Sequence, residues 1–300
     1  MEPLKHVPCL CGHDDYRVLY DRPYALTSDH LGDFLATTDR FENYGRIVRC
    51  RRCALVYTNP RLEDSLIFRG YADSRDENYV EEASNRSINA HISVGALRRF
   101  RKGGRLLEVG SSLGYFLNAA RVDYEVTGVE ASRWAAEEAR RKFGVPVKTG
   151  SLQEQHFEDG GFDIVCQIDV IEHVTDPVAL LNECCRVLKP GGLLYVVTPD
   201  IDSLSAMLLR GKWWGLRPAH LYYFSRRTLT DLLEKIGLEI VLARSFGRIF
   251  SLGYWASRLK SYPALVHRPI DRVIYLLDIH EKLMYINTRD SMELVAKKRG

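Results

Sequence analysis

The chain has 300 residues, of which 46% are apolar, and carries a formal net charge of +3. That length holds one large domain with a small companion, and the apolar content excludes a disordered chain. The near-neutral charge does not by itself argue for a nucleic-acid partner, no apolar run reaches the length of a membrane span, and residues 1–10 lack a secretory leader, so a cytoplasmic protein is expected. In chain order, residues 1–61 are turn-rich. They hold two short strand patterns, 16–20 and 54–57, each after a cysteine pair, and Asn59-Pro60 marks a stop. Residues 62–104 read as a helical linker. From residue 105 the rhythm changes, and strands alternate with helices. Strands are expected at 106–109, 125–129, 145–148, 162–168 and 193–198, and helices at 115–121, 133–143 and 177–188. Lys189-Pro190-Gly191-Gly192 is a strong helix stop. A helix over 225–236 and a strand over 239–243 follow. Amphipathic stretches at 253–259 and 272–285 form a helical insertion of about 250–286, and 291–296 is the last strand candidate. Such alternation implies an α/β fold with helices on both faces of a parallel sheet.

In an open α/β sheet the ligand lies at the carboxyl ends of the strands. The first strand ends at Glu108-Val109-Gly110 and turns through Ser111-Ser112-Leu113-Gly114. Glycines there let backbone approach a ligand at a helix N-terminus. Glu130 ends the second strand, where a carboxylate suits vicinal ribose hydroxyls. The Gly-x-Gly-x-x-Gly fingerprint of dinucleotide sites is absent, and Glu108 would repel a pyrophosphate. A ligand bearing an ammonium group suits it, which points to S-adenosylmethionine (SAM).

With Leu106 to Gly114, Val129-Glu130, Phe162-Asp163-Ile164-Val165, Ile171-Glu172-His173-Val174 and Leu188-Lys189-Pro190-Gly191-Gly192-Leu193, the chain resembles class I SAM-dependent methyltransferases. Ser112 departs from that pattern, which often has glycine there. The resemblance implies a Rossmann-like doubly wound sheet with an antiparallel last strand over residues 105–300. It also implies that Glu108, Gly110, Ser112 and Gly114 line the methionine end and that Glu130 holds the ribose. Ser151 and Leu152 would edge the adenine, and Gln167 would face the methionine amino group.

Of seven cysteines, Cys166, Cys184 and Cys185 lie in apolar segments, and the odd count argues against a disulfide framework. Cys9-x-Cys11 and Cys50-x-x-Cys53 supply four thiolates in two close pairs, a set that suits one structural zinc. The first pair is tighter than usual, so His6 or His13 is an alternative ligand to Cys9. The arrangement, with Cys11-Gly12 and Arg49-Cys50 through Pro60, resembles a bacterial methyltransferase group with an N-terminal zinc-ribbon-like module.

Methyl transfer is an in-line displacement in which the acceptor must be aligned and lose a proton. Asp169, Glu172 and His173 follow the fourth strand, and His220 follows the fifth. Trp213 and Trp214 would wall the acceptor. One reading makes His220 or His173 a general base for a hydroxyl. Another makes Asp169, Glu172, His173 and His220 a site for a divalent cation such as Mg2+ or Mn2+, as in the small-RNA-end ribose methyltransferases and ubiquinone-pathway O-methyltransferases that this pattern resembles. A third leaves Glu172-His173 as loop architecture. Tyr222 and Tyr223 read as packing residues. The apolar 253–285 region is a homodimer or core-packing surface, or a lid. The expected function is O-methylation of a small-molecule hydroxyl, in a sugar or other secondary metabolite. The alternatives are C- or N-methylation, a non-catalytic SAM-binding regulator, and RNA modification. The last would use Arg46, Arg49, Arg51, Arg52 and residues 98–105 on phosphates.

Overall fold

A computed structural model describes residues 4–24, 44–75, 83–259 and 264–300. The N-terminal segment is β-rich. Strand β1 (Leu4–Lys5) precedes β2 (Tyr16–Tyr24), β3 (Tyr44–Cys50), β4 (Val56–Thr58) and β5 (Arg61–Leu62). β2, β3 and β4 form an antiparallel meander, and β1 pairs with β5. Helices α1 (Asp64–Ala72) and α2 (Ala83–Leu97) follow. α2 buries Ala90, Val94 and Leu97 in the same cluster as Leu106 and Leu117, so it belongs to the core of the large sheet rather than to a spacer.

Then come β6 (Arg105–Val109), α3 (Tyr115–Ala120), β7 (Glu125–Glu130), α4 (Arg133–Phe143), β8 (Val147–Thr149), β9 (Phe162–Ile168), α5 (Pro177–Val187) and β10 (Leu188–Pro199). The local chemistry sets these bounds. Ser132 caps α4 by accepting from the Ala135 N–H, and Gly144 closes it with φ +63. Pro177 opens α5. α5 ends at Val187, at the expected stop, and β10 begins at Leu188 rather than at residue 193, its pairing with β9 being irregular between Leu188 and Leu193. After β10 come α6 (Leu204–Leu209), β11 (Tyr222–Tyr223), α7 (Arg226–Lys235), β12 (Leu238–Ser245), β13 (Arg248–Ser251), α8 (Leu252–Leu259), α9 (Ala264–Leu276), β14 (Leu283–Ile286) and β15 (Ser291–Lys298).

The central sheet has seven strands in the order β12-β15-β10-β9-β6-β7-β8. β6 through β10 pair in parallel, and β15 runs antiparallel between β10 and β12. Its strands bury alternate residues on two faces. Leu107, Val165 and Leu194 face one core; Leu106, Ile164 and Tyr195 face the other. The chain leaves β6 toward β7 and β8 on one side and toward β9 and β10 on the other. The switch point therefore lies between β6 and β9, where a ligand crevice is expected.

Two features depart from the sequence reading. β11 joins the edge of the N-terminal meander, giving the order β11-β4-β3-β2. The stretch 272–285 is not one helix. α9 starts earlier, and Leu283–Ile286 is a strand paired with β13, so β13 and β14 bracket the two helices.

Candidate functional site

A cavity of about 600 Å³ opens at the carboxyl ends of β6, β7 and β9. Its cofactor-side wall contains Glu108, Gly110, Ser112, Glu130, Ser151 and Leu152. Gly110 takes φ +74, and a Cβ there would meet Val170 Cγ2 at 2.5 Å, so the turn needs glycine. Ser112 adopts φ +45 in the same left-handed region without a glycine. Its N–H donates to Glu130 Oε2 at 2.7 Å, while the Ser132 N–H donates to Oε1 at 2.8 Å. Burial raises the Glu130 pKa, opposed by these donors.

Glu108 is buried, and its Oε2 has no hydrogen-bond partner. Burial first, then the nearby Glu130, pushes its pKa well above the usual carboxylate range. An orphaned buried carboxylate at a cavity wall fits a cationic ligand group, and the SAM ammonium is of that kind.

Two expected cofactor residues sit elsewhere. Gly114 takes φ +76, and a Cβ there would meet Ala139 Cβ at 2.9 Å. It is a close-packing position between the turn and α4, and it does not line the cavity. Gln167 is fully buried and donates from Nε2 to Cys184 Sγ at 3.0 Å, which turns it toward α5, and it does not line the cavity. Sequence reasoning missed the contribution of α2, which brings Arg86, Asn89 and Ser93 to the cavity wall. Only the weak periodicity of residues 83–97 signalled it.

On the acceptor side, Glu172, His173 and His220 bring one ligand atom each within 4.8 Å of one another. His173 Nδ1 lies 3.0 Å from the Ala219 carbonyl and His220 Nδ1 lies 2.9 Å from the Gly215 carbonyl. A carbonyl only accepts, so both Nδ1 atoms carry hydrogen and both Nε2 atoms keep a lone pair. Tyr71 Oη, 2.7 Å from His173 Nδ1, donates to the same Ala219 carbonyl. Burial lowers the His173 pKa to about 4, and burial with the neighbouring His173 and Arg217 holds that of His220 well below its usual value. Glu172 accepts from Thr198 Oγ1 through Oε2, and its Oε1 has no hydrogen-bond partner. Burial, then Asp169, pushes its pKa up to about 8.

Asp169 leaves this group: it accepts from Arg248 at 2.5 Å. Burial would raise its pKa, but Arg248 holds it below the usual value. Of the two tryptophans, Trp214 lines the cavity and donates to Asp290 at 2.7 Å, whereas Trp213 is buried in a separate core. Phe250, Tyr254 and Trp255 of β13 and α8 complete an aromatic wall.

Cys9, Cys11, Cys50 and Cys53 form the second cluster, all four Sγ atoms lying within 4.8 Å of one another. The pairs Cys9–Cys53 and Cys11–Cys50 are 3.4 and 3.7 Å apart. A tetrahedral metal with metal–sulfur bonds of about 2.3 Å needs sulfur edges of about 3.8 Å, so the four thiols fit one zinc. Burial works to raise the Cys50 pKa, but the N–H groups of Cys53 and Arg52 hold it at about 7. His6 and His13 are outside the cluster, so Cys9 keeps its place as a ligand candidate. The arginines considered for phosphate are largely paired: Arg46 with Asp21, Arg49 with Asp202, Arg51 with Asp15, Arg98 with Asp123 and Arg101 with Asp163. Among the described residues no helix is long and apolar enough to cross a membrane.

The sequence pattern of a family described as a methyltransferase domain matches residues 83–243. A protein of Mycolicibacterium smegmatis named as a SAM-dependent methyltransferase is 33% identical over 140 residues, which are 46% of this chain and 53% of that protein. A ubiquinone biosynthesis O-methyltransferase of Cereibacter sphaeroides is 31% identical over 173 residues, 53% of this chain and 69% of that protein. The chain thus spans about half the length of the first relative. Two solved structures share the fold. One is a Haloferax volcanii methyltransferase in complex with the Trm112 activator, with TM-score 0.54 at 18% identity, covering 76% of this chain and 100% of that one. The other is a SAM-dependent methyltransferase of Thermotoga maritima, with TM-score 0.51 at 23% identity, covering 74% and 95%.

Proposed function

From the premise that this chain belongs to the class I SAM-dependent methyltransferase family, we propose that it transfers a methyl group to a hydroxyl of a small-molecule acceptor. The observation that carries this reading is the convergence of Glu172, His173 and His220 at the cavity beside Glu108 and Glu130. SAM bound there supplies an electrophilic methyl carbon. Glu108 would hold its ammonium group and Glu130 its ribose hydroxyls, two separate parts of one ligand.

Two neutral imidazoles and one carboxylate form a ligand set for a divalent cation, Mg2+ or Mn2+, which would lower the pKa of an acceptor hydroxyl. The cation reading is preferred to a simple base. An imidazole whose conjugate acid titrates at about 4 is a weak acceptor for a hydroxyl proton, but an available ligand at neutral pH. Both Nδ1–H groups are tied to carbonyls, which holds each Nε2 toward its partners. The aromatic wall of Trp214, Phe250, Tyr254 and Trp255 excludes water and takes the apolar part of the acceptor. With β13 and β14 bracketing them, α8 and α9 serve as its lid. The concave, aromatic-walled cavity and the paired surface arginines support a small molecule over nucleic acid. The Cys9, Cys11, Cys50 and Cys53 cluster holds a structural zinc in the module of residues 1–61, with no ligand position left for chemistry.

The test is label transfer from methyl-tritiated SAM to a panel of catechols, hydroxybenzoates and sugars. The expected result is an O-methyl product whose formation stops with chelator and returns with Mg2+ or Mn2+. Transfer indifferent to chelator would restore the histidine-base reading, and a product labelled on nitrogen or carbon would overturn the hydroxyl assignment.

A further inference from the structure

The two histidine-bearing loops are not held by the methyltransferase sheet alone. Thr58, at the end of β4 and fully buried, donates its Oγ1 hydrogen to the His220 carbonyl at 3.0 Å, and its N–H donates to the Leu221 carbonyl at 2.9 Å. β4 then pairs with β11, Tyr57 opposite Tyr222 and Val56 opposite Tyr223. Arg61 of β5 is buried as well. Its guanidinium donates to Tyr222 Oη at 3.1 Å and to the Thr175 carbonyl at 2.9 Å, joining the loop after β9 to the loop before α7. Tyr71 of α1 reaches His173 from the same side. Within the large domain, the Glu172 carbonyl accepts from the Leu221 and Tyr222 N–H groups at 2.8 and 3.1 Å. β4 begins three residues after Cys53, and the Cys50 N–H donates to the Leu55 carbonyl, so the thiol cluster anchors the strand that carries these contacts.

We propose that the cysteine module is a clamp on the reaction centre, with Thr58 and Arg61 as positioning residues that set His220 and His173 against Glu172. The proposal rests on the reading of those three side chains as working groups. It follows from the chemistry of the contacts. A buried hydroxyl bonded to the carbonyl of His220 fixes the backbone that aims the imidazole, and a buried guanidinium bridging two loops fixes their separation. The module's value to the enzyme is thus geometric, in the placement of groups that must converge.

The test uses the full-length chain labelled with 15N-histidine, as wild type, Thr58→Val and Thr58→Ser. Three readouts are taken: imidazole 15N resonances, Mn2+ binding by electron paramagnetic resonance, and S-adenosylhomocysteine binding by calorimetry. The account expects Thr58→Val to shift or broaden the His220 resonances and to weaken Mn2+ roughly three- to ten-fold, the weight of one buried hydrogen bond. Thr58→Ser, which keeps the hydroxyl, should match wild type, and S-adenosylhomocysteine should bind all three chains equally. Unchanged resonances in Thr58→Val overturn the clamp. Loss of S-adenosylhomocysteine binding in that variant also overturns it, because the contact is then a general support of the fold. If wild type binds no Mn2+, the cation reading falls, and the resonance comparison alone upholds or overturns the clamp.

Discussion

Glu108 shows how one side chain couples stability to ligand binding. Its carboxyl is buried with an orphaned oxygen, so the ligand-free fold favours the protonated form. A carboxyl whose folded pKa is raised leaves stability complete below the unfolded value of about 4.3 and erodes it as pH climbs toward the folded value. Ligand-free wild type should therefore lose thermal stability above that pH, and Glu108→Gln should lose less. The same substitution should weaken SAM by about ten-fold or more, since it removes the charge opposite the ammonium. Melting curves from pH 4 to 8, with and without ligand, check both arms. Equal pH slopes in the two chains would contradict the account. Glu172 gives a second pH dependence. Its pKa of about 8 means that a bound cation displaces a proton. Mn2+ affinity should therefore rise about ten-fold per pH unit up to about pH 8 and level above it, as read by titration at several pH values. That Glu108, Glu130, Glu172 and His173 meet at one cavity was legible because carboxylates at strand ends and the Glu172-His173 pair carry chemistry in their spacing. The pairing of Asp169 with Arg248 and of Gln167 with Cys184 was not legible, because those partners come from other segments that no local pattern announces.

At the scale of elements, the strand–helix alternation from residue 105 was readable because apolar runs and caps coincide, as at Ser132, Pro177 and Ser225. β11 and the β13–β14 pair were not. β11 is two residues long, and Leu283–Ile286 shows neither alternation nor turn signals at both ends, so tertiary pairing decides their state. The amino ends of β6 and β9 are tied by Asp163. It accepts from the Arg105 N–H at 2.9 Å, from Arg101 at 2.6 Å and from Lys189 at 2.9 Å. Although burial acts the other way, these donors hold its pKa below the usual value. A depressed carboxyl stabilises the fold above its unfolded pKa and ceases to do so as pH falls through its folded one. Asp163→Asn should cost about 1–3 kcal/mol at pH 7, with the difference from wild type shrinking below about pH 4. Urea unfolding at pH 7 and pH 3.5 measures this, and a constant difference would contradict the ionic role. Gly114→Val makes the complementary case. The left-handed backbone and the 2.9 Å approach to Ala139 should together cost about 2–4 kcal/mol without removing any ligand contact.

For the whole molecule, the cysteine spacing and the change of rhythm set residues 1–61 apart from the strand–helix alternation that begins at residue 105. What the sequence hid is that the two share β11 and that α2, between them, walls the cavity. Elemental analysis should find about one zinc per chain. Chelation should lower the melting temperature, because the metal staples a β-rich segment whose buried residues Val48, Leu55 and Tyr57 pack into the same core as Leu107 and Val165. A fully folded, metal-free chain would contradict that assignment. The central claim is that one cavity holds SAM between Glu108 and Glu130, and calorimetric titration of S-adenosylhomocysteine into wild type and Glu130→Ala tests it most directly. The account predicts one site per chain in wild type and about ten-fold or greater loss of affinity in the variant, the weight of a charged hydrogen bond. Equal affinity in both chains would contradict it.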